Sequence, residues 1–163
     1  RIIFLFGDPL FFGMRALVRR VLNAEVKVAG KTTGSINRGL LIYLGIARED
    51  DANDLKWIVR KILGLRIFED VNGRMNEAIT PDSGILLVSQ FTLFGNMRKG
   101  FRPSFNEAAD SEMGKILYQH GLEVLRNQFP GHVAEGSFGA DMKISATDDG
   151  PVTIWIDSKN TKY

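Results

Sequence analysis

Two uninterrupted apolar runs set the strongest limit on how this chain folds: Leu40-Leu41-Ile42-Tyr43-Leu44 and Ile85-Leu86-Leu87-Val88. Each is too short for a stable helix, and neither alternates polar with apolar residues as a half-exposed strand does. Both read as buried strands, so the rest of the chain has to pack over them. At 163 residues the chain is long enough to do so as one domain with a sizeable core.

Around these runs the hydrophobic period changes. Leu55, Ile58, Val59, Ile62 and Leu63 recur at helical spacing, with Asp50-Asp51 placed to cap the start and Gly64 to close the end. A second helix is predicted over 111–128, with Tyr118, Leu122, Leu125 and Phe129 as its apolar stripe and Pro130-Gly131 as its stop. Short strands are predicted at 16–18, 24–28, 133–137, 142–146 and 152–156. Turns fall at Ala29-Gly30-Lys31 and at Asp70-Val71-Asn72-Gly73, and the glycine-rich stretch 34–39 reads as a hairpin. No repeat or linker interrupts the pattern. The expected fold is α/β: a single strand-rich domain, largely an antiparallel sheet or partial β-barrel, with two main helices.

The first thirteen residues stand apart. Their apolar stretch is broken by Gly7-Asp8-Pro9, too short to span a bilayer and without a cleavage site of small residues. They read as an extension ahead of a domain spanning 14–163, the alternative being a membrane-touching or partner-binding arm.

The absence of cysteine excludes disulfides, thiolate catalysis and cysteine-based metal sites, and is compatible with a reducing, cytoplasmic setting. A formal charge of +2 permits local contact with nucleic acid but is too small for a dedicated non-specific binder. Only His120 and His132 are present, with no Gly-x-Ser-x-Gly elbow, so a histidine triad is disfavoured. The pairs Asp50-Asp51 and Asp148-Asp149 suit turns and caps better than a metal site, because adjacent side chains point apart. No phosphate-binding loop is present. The cluster Arg98-Lys99-Gly100-Phe101-Arg102 is either a solvated loop or a surface that holds a phosphodiester backbone and stacks a base.

What remains is a pair of segments built from backbone-exposing and hydroxyl-bearing residues: Ser89-Gln90-Phe91-Thr92-Leu93 and Asp149-Gly150-Pro151-Val152-Thr153. Neither holds an evident general base. A pocket made from both would rely on backbone groups.

From Met14 to about Asp157 the chain resembles the D-aminoacyl-tRNA deacylases. These two segments match the family's motifs, and 14–21, 62–68, Arg102-Pro103-Ser104-Phe105 and 138–142 match further blocks. The resemblance implies a cytoplasmic homodimer, without metal or cofactor, whose sites lie at the subunit interface. It would hydrolyse the ester joining a D-amino acid to the 3′ end of tRNA, and also glycyl-tRNA mischarged on tRNA-Ala. It implies that Gly150 and Pro151, joined by a cis bond, enter the partner's pocket and present carbonyls to the substrate α-amino group, and that Arg20 braces this loop. It places the ester carbonyl near the amides of Gln90 and Phe91, with Ser89 and Thr92 in the same catalytic segment, and the terminal ribose 2′-hydroxyl assisting water. Thr153 joins the substrate-binding group, and Phe138, Gly139 and Met142 take the terminal adenine. A non-catalytic RNA-binding dimer of the same fold is the alternative. One departure stands out: the family usually has Asn where this chain has Asp148, so retained activity with weaker tRNA binding is expected.

Overall fold

The computed structural model describes residues 12–161. The reading of residues 1–13 as an extension therefore falls almost wholly outside the described residues.

The fold is organised around β1 (Arg15–Val28), one strand of 14 residues where two short strands were expected. Its first half alternates normally, with Ala16 and Val18 facing the two helices. Val21, Ala24 and Val26 instead enter a second core on the opposite face. The pairing register shifts between Val21 and Asn23, and this bulge changes the alternation by one residue. One continuous strand thus serves two cores. The arginines and Asn23 in its middle hid that continuity in the sequence.

The chain turns at Ala29-Gly30, both at positive φ, and runs back along β1 as β2 (Lys31–Ile36) and then β3 (Gly39–Gly45). Ile36 faces Ala24 and Gly39 faces Val21, so residues 34–39 continue the return arm and are not a separate hairpin. A Cβ on Gly34 would lie 2.2 Å from the Glu135 carbonyl oxygen, so glycine here lets β2 approach β7 (His132–Glu135) and curl the sheet. β3 pairs in parallel with β6 (Gly84–Ser89), and β6 with β7. On its other edge β1 pairs antiparallel with β8 (Lys143–Asp157), a single strand where two were expected. The short ribbon of β4 (Phe68–Glu69) and β5 (Met75–Glu77) turns at Gly73. The result is the single strand-rich α/β domain expected, a mixed sheet curled toward a barrel.

Both apolar runs are buried on both faces. Leu40, Ile42, Ile85 and Leu87 pack against helix α1 (Ala52–Gly64) and helix α2 (Ser111–Gln128), while Leu41, Leu86 and Val88 fill the inside of the curled sheet. Each such side chain contributes about 1.5–3 kcal/mol by leaving water. The predicted stripe Tyr118, Leu122, Leu125 and Phe129 is buried in the helix-side core. Asp110 caps α2 at the Met113 amide, 2.9 Å away. Among the described residues no helix is long and apolar enough to cross a membrane.

Asp50 and Asp51 divide their work. Asp51 caps α1, in a reciprocal box with Asp54. Asp50 is buried, accepts the Ala47 amide at 2.6 Å through Oδ2, and leaves Oδ1 without a partner among the described residues. Burial, helped by the nearby Asp54 carboxylate, pushes Asp50 up to about 7 despite that amide. At Asp54 burial acts the same way, but the Lys159 ammonium, the Asp51 amide and the Ser158 hydroxyl outweigh it and hold the group below its ordinary value. Because the folded protein keeps the Asp50 proton after the unfolded chain has lost it, this carboxyl contributes a loss of stability as pH rises from about 4 to about 7 that then levels off, opposite in sign to the contribution of Asp54. Asp50→Asn is expected to flatten that slope and to be the more stable protein above it, read as denaturation midpoints across the range. A slope unchanged in the variant would assign the pH dependence to other groups.

Candidate active site

The segment 89–93 is positioned from below by β6 and from the side by β1. The buried β6 ladder carries it to the end of the sheet, where the Gln90 amide donates to the Leu44 carbonyl at 2.8 Å. The chain then tightens into a single 3-10 turn (Phe91–Phe94). Arg15 holds its end, donating to the Leu93 carbonyl at 2.8 Å while its guanidinium pairs with Asp157 and lies over the Phe94 and Trp155 rings.

Ser89, Gln90 and Phe91 line a cleft of about 300 Å3 together with Phe138, Gly139, Ala140, Asp141, Met142, Val88 and Ile144. Two of the predicted groups, the 89–91 segment and the Phe138, Gly139 and Met142 set, therefore meet in one cavity. Thr92 is exposed and is not among the lining residues; its hydroxyl accepts a hydrogen bond from the Gln90 side-chain amide. Since the Gln90 backbone amide is already donated to Leu44, the Phe91 amide is the member of the expected pair left for a ligand oxygen.

Residues outside the sequence motifs shape the far wall. Tyr118, on α2, donates to the Leu87 carbonyl at 2.8 Å and packs its ring against Phe138 at 5.7 Å. Burial drives its phenol well above the ordinary tyrosine value, so it is a fixed neutral donor. The Ser137 amide points at the Met142 sulfur, 3.4 Å away. Tyr118 was legible only as helix stripe, because nothing in a helical period marks which apolar residue braces a cleft. Among the described lining residues the one titratable side chain is Asp141, paired with Lys143 at 3.0 Å. His120 lies near Glu123 and His132 contacts the Ser35 carbonyl, and neither lines the cleft.

The second segment sits elsewhere on the protomer. Along β1 and β8 the pairing steps from Arg19 with Thr153 to Val21 with Asp148, so residues 149–152 are looped out opposite Arg20 alone. Gly150 and Pro151 are exposed, and the peptide bond between them is cis. Gly150 adopts φ +135°, where a Cβ would come within 2.8 Å of Val152 Cγ2, so glycine is required. Arg20 is buried and grips the base of the loop: Nε donates to the Asp149 carbonyl at 3.1 Å and lies 3.3 Å from its carboxylate, and Nη1 donates to the Ile67 carbonyl at 2.5 Å. Thr153 is exposed beside it. Gly150, Pro151 and Thr153 are not lining residues of the same protomer's cleft.

Asp148, the departure from the family pattern, is not a free charge. Its carboxylate accepts from Arg19 Nε at 3.0 Å, and Arg19 in turn reaches the Tyr43 hydroxyl. The negative charge that Asp148 adds is therefore paired with Arg19 at the partly exposed edge of the loop.

The fold and the cleft identify the class first. The chain superposes on a solved structure described as c-Myc DNA Unwinding Element Binding Protein with TM-score 0.82, at 41% identity over 87% of this chain and 97% of that one. A probable eukaryotic D-amino acid tRNA deacylase matches with TM-score 0.73 at 19% identity, covering 88% and 98% of the two chains, which establishes shared fold alone. In sequence, the chain is 50% identical to a D-aminoacyl-tRNA deacylase of Clostridium botulinum (strain Loch Maree / Type A3) over 149 residues, 91% of this chain and 99% of the relative. It is 47% identical to one of Thermosipho africanus over 147 residues, 90% and 98% of the two chains. The family profile for D-Tyr-tRNA(Tyr) deacylase matches residues 17–157. The chain belongs to that family.

The Arg19–Asp148 pair is partly exposed, and exposed pairs contribute about 0.2–1 kcal/mol. A double-mutant cycle with Arg19→Gln and Asp148→Asn is expected to return a coupling energy inside that range. A coupling several-fold larger would make this pair, and not Arg20, the main brace of the loop.

Proposed function

We propose that the protein hydrolyses the ester bond of D-aminoacyl-tRNA, releasing tRNA and the free D-amino acid. The observation that carries the reading is the cleft in which the 89–91 segment faces Phe138, Gly139 and Met142, in a chain whose family relatives bear that activity by name. Such a cleft offers backbone donors and a flat apolar wall, and its single acid is neutralised by a lysine.

In this reading the terminal adenine stacks on Phe138 beside Gly139 and Met142. The ester carbonyl oxygen takes the Phe91 amide, which stabilises the negative charge that develops as water adds to the carbon. Thr92 and the Gln90 side chain orient the aminoacyl group near Ser89, and the ribose 2′-hydroxyl assists the water. The tetrahedral carbon then expels the ribose oxygen. No side-chain base is required.

Handedness is checked by Gly150 and Pro151 of a second copy. Their absence from the lining of their own protomer's cleft supports a homodimer in which each subunit lends its looped-out segment to the other. Their carbonyls accept the α-amino group of a D-residue, whereas an L-residue would aim its side chain at them and clash. A filter of this kind suits the task, because enantiomers carry the same groups and apolar contacts discriminate by only about 1–3 kcal/mol per methylene. Glycine has no side chain to reject, so glycyl-tRNA passes as well. Arg20 holds the loop in place, with Thr153 at its foot.

A non-catalytic nucleic-acid-binding dimer is the second reading, favoured by the name of the structural neighbour at 41% identity. Deacylation of D-Tyr-tRNA and L-Tyr-tRNA separates the two. The expected result is rapid release of D-tyrosine with the L-ester left intact. Equal hydrolysis of both, or of neither, would overturn the proposal, and tRNA binding without hydrolysis would favour the second reading. Gly150→Ala is expected to cost the D-reaction about 100-fold, because displacement by an ångström is enough for a loss of that size.

A further inference from the structure

The loop of residues 97–102 has a composition that the fold does not use. Its base is closed by reciprocal backbone hydrogen bonds between Asn96 and Ser104, 2.9 and 3.0 Å long. Just beyond, Phe105 meets Phe91 edge-on with ring centroids 5.1 Å apart, and Phe91 lines the cleft. The loop is therefore anchored to the cleft rim, while its tip stands in solvent. Phe101 is fully exposed and Met97 largely so, with no packing role in the described chain.

Charge sharpens the contrast. Arg15, Arg19, Arg20, Arg126, Lys143 and Lys159 are each paired with an acid. Arg98, Lys99 and Arg102 are exposed and pair with none among the described residues. Three uncompensated cations in five positions make a concentrated positive spot on a chain whose formal charge is only +2. A cationic tip that carries an exposed aromatic ring matches a nucleic-acid strand, in which phosphates alternate with stackable bases.

We infer that residues 97–102 hold the RNA strand as it leaves the cleft, with Arg98, Lys99 and Arg102 on phosphates and Phe101 against a base or ribose. The inference rests on the proposed placement of the tRNA 3′ end in the cleft.

The test combines Arg98→Gln, Lys99→Gln and Arg102→Gln in one variant, with Phe101→Ala as a second. Because all four side chains are exposed, both variants keep the fold. Three measurements are compared with the parent protein: binding of deacylated tRNA across a salt series, hydrolysis of D-Tyr-tRNA, and hydrolysis of D-tyrosyl-adenosine, which lacks every phosphate. The triple variant is expected to bind tRNA at least tenfold more weakly. Its slope of log affinity against log salt should be shallower by about 2, since each lost phosphate contact removes about 0.7–0.9. For D-Tyr-tRNA, KM should rise with kcat retained, while D-tyrosyl-adenosine should be hydrolysed as before. Phe101→Ala should weaken tRNA binding about tenfold without changing the salt slope. Unchanged tRNA affinity and salt slope in the triple variant would overturn the inference, as would an equal loss on D-tyrosyl-adenosine. If the parent protein binds tRNA but hydrolyses neither ester, the deacylase reading fails, and the binding series alone decides the role of the loop.

Discussion

The Arg20 guanidinium is the interaction on which the rest of the structure depends. A buried charge in mid-strand is costly unless its donors are met. Here they are met by the Asp149 carbonyl and carboxylate and by the Ile67 carbonyl. Those acceptors belong to two distant parts of the chain, the strand that carries Gly150-Pro151 and the segment that leaves α1. One side chain therefore fixes where β8 loops out and ties that loop to the helix layer. The same stretch of β1 contains the bulge that turns its later residues from the helix-side core to the inside of the curled sheet. Slipping β1 by one residue would unmake the charge site and both cores together.

Arg15 repeats the device five residues earlier on the same strand, with its guanidinium on the Leu93 carbonyl and the Asp157 carboxylate. Two arginines of one strand thus pin the backbone of the two segments that carry the candidate chemistry. They pin them in separate places: the 89–91 segment opens into the cleft, and residues 149–152 project from the other edge of β1. Within a single protomer the first segment lines the cleft and the second does not. That division is the strongest structural support for joining them across two subunits.

Much of this was legible in the sequence. Helical spacing located both helices and their buried stripes, and the continuous apolar runs marked the doubly covered strands, because burial on every side leaves a periodic or unbroken apolar signal. The length of β1 and β8 was not legible. Arg19, Arg20 and Asn23 break the apolar pattern of one, and Asp148 to Pro151 break that of the other. Arg19 with Asp148 and Arg20 with Asp149 satisfy one another across the pair, which no local window records. The stretch 34–39 misled for a related reason: Gly34 permits close approach to β7 and Gly39 to β6, which resembles turn chemistry when the neighbouring strand is out of view. At the site, the motifs brought Ser89 to Phe91 and Phe138 to Met142 forward. Tyr118 stayed hidden as an ordinary stripe residue, and the engagement of the Gln90 amide with Leu44 depends on a strand pairing between distant residues.

A site made of carbonyls and amides changes what a substitution does. Replacing a catalytic side chain deletes its group, but no point substitution deletes a carbonyl, and only proline removes an amide proton. Side chains around such a site act by holding the backbone in position, and different pairings can do the holding equally well. Asp148 illustrates the point. Its carboxylate reaches across the strand pair and accepts from Arg19. Directly beside it the Arg20–Asp149 pair grips the same loop from within the fold. The loop is thus held by two adjacent arginine–aspartate pairs, one partly exposed and one largely buried. Both pairs hold the strand positions that precede Gly150 and Pro151, whose carbonyls no side chain replaces.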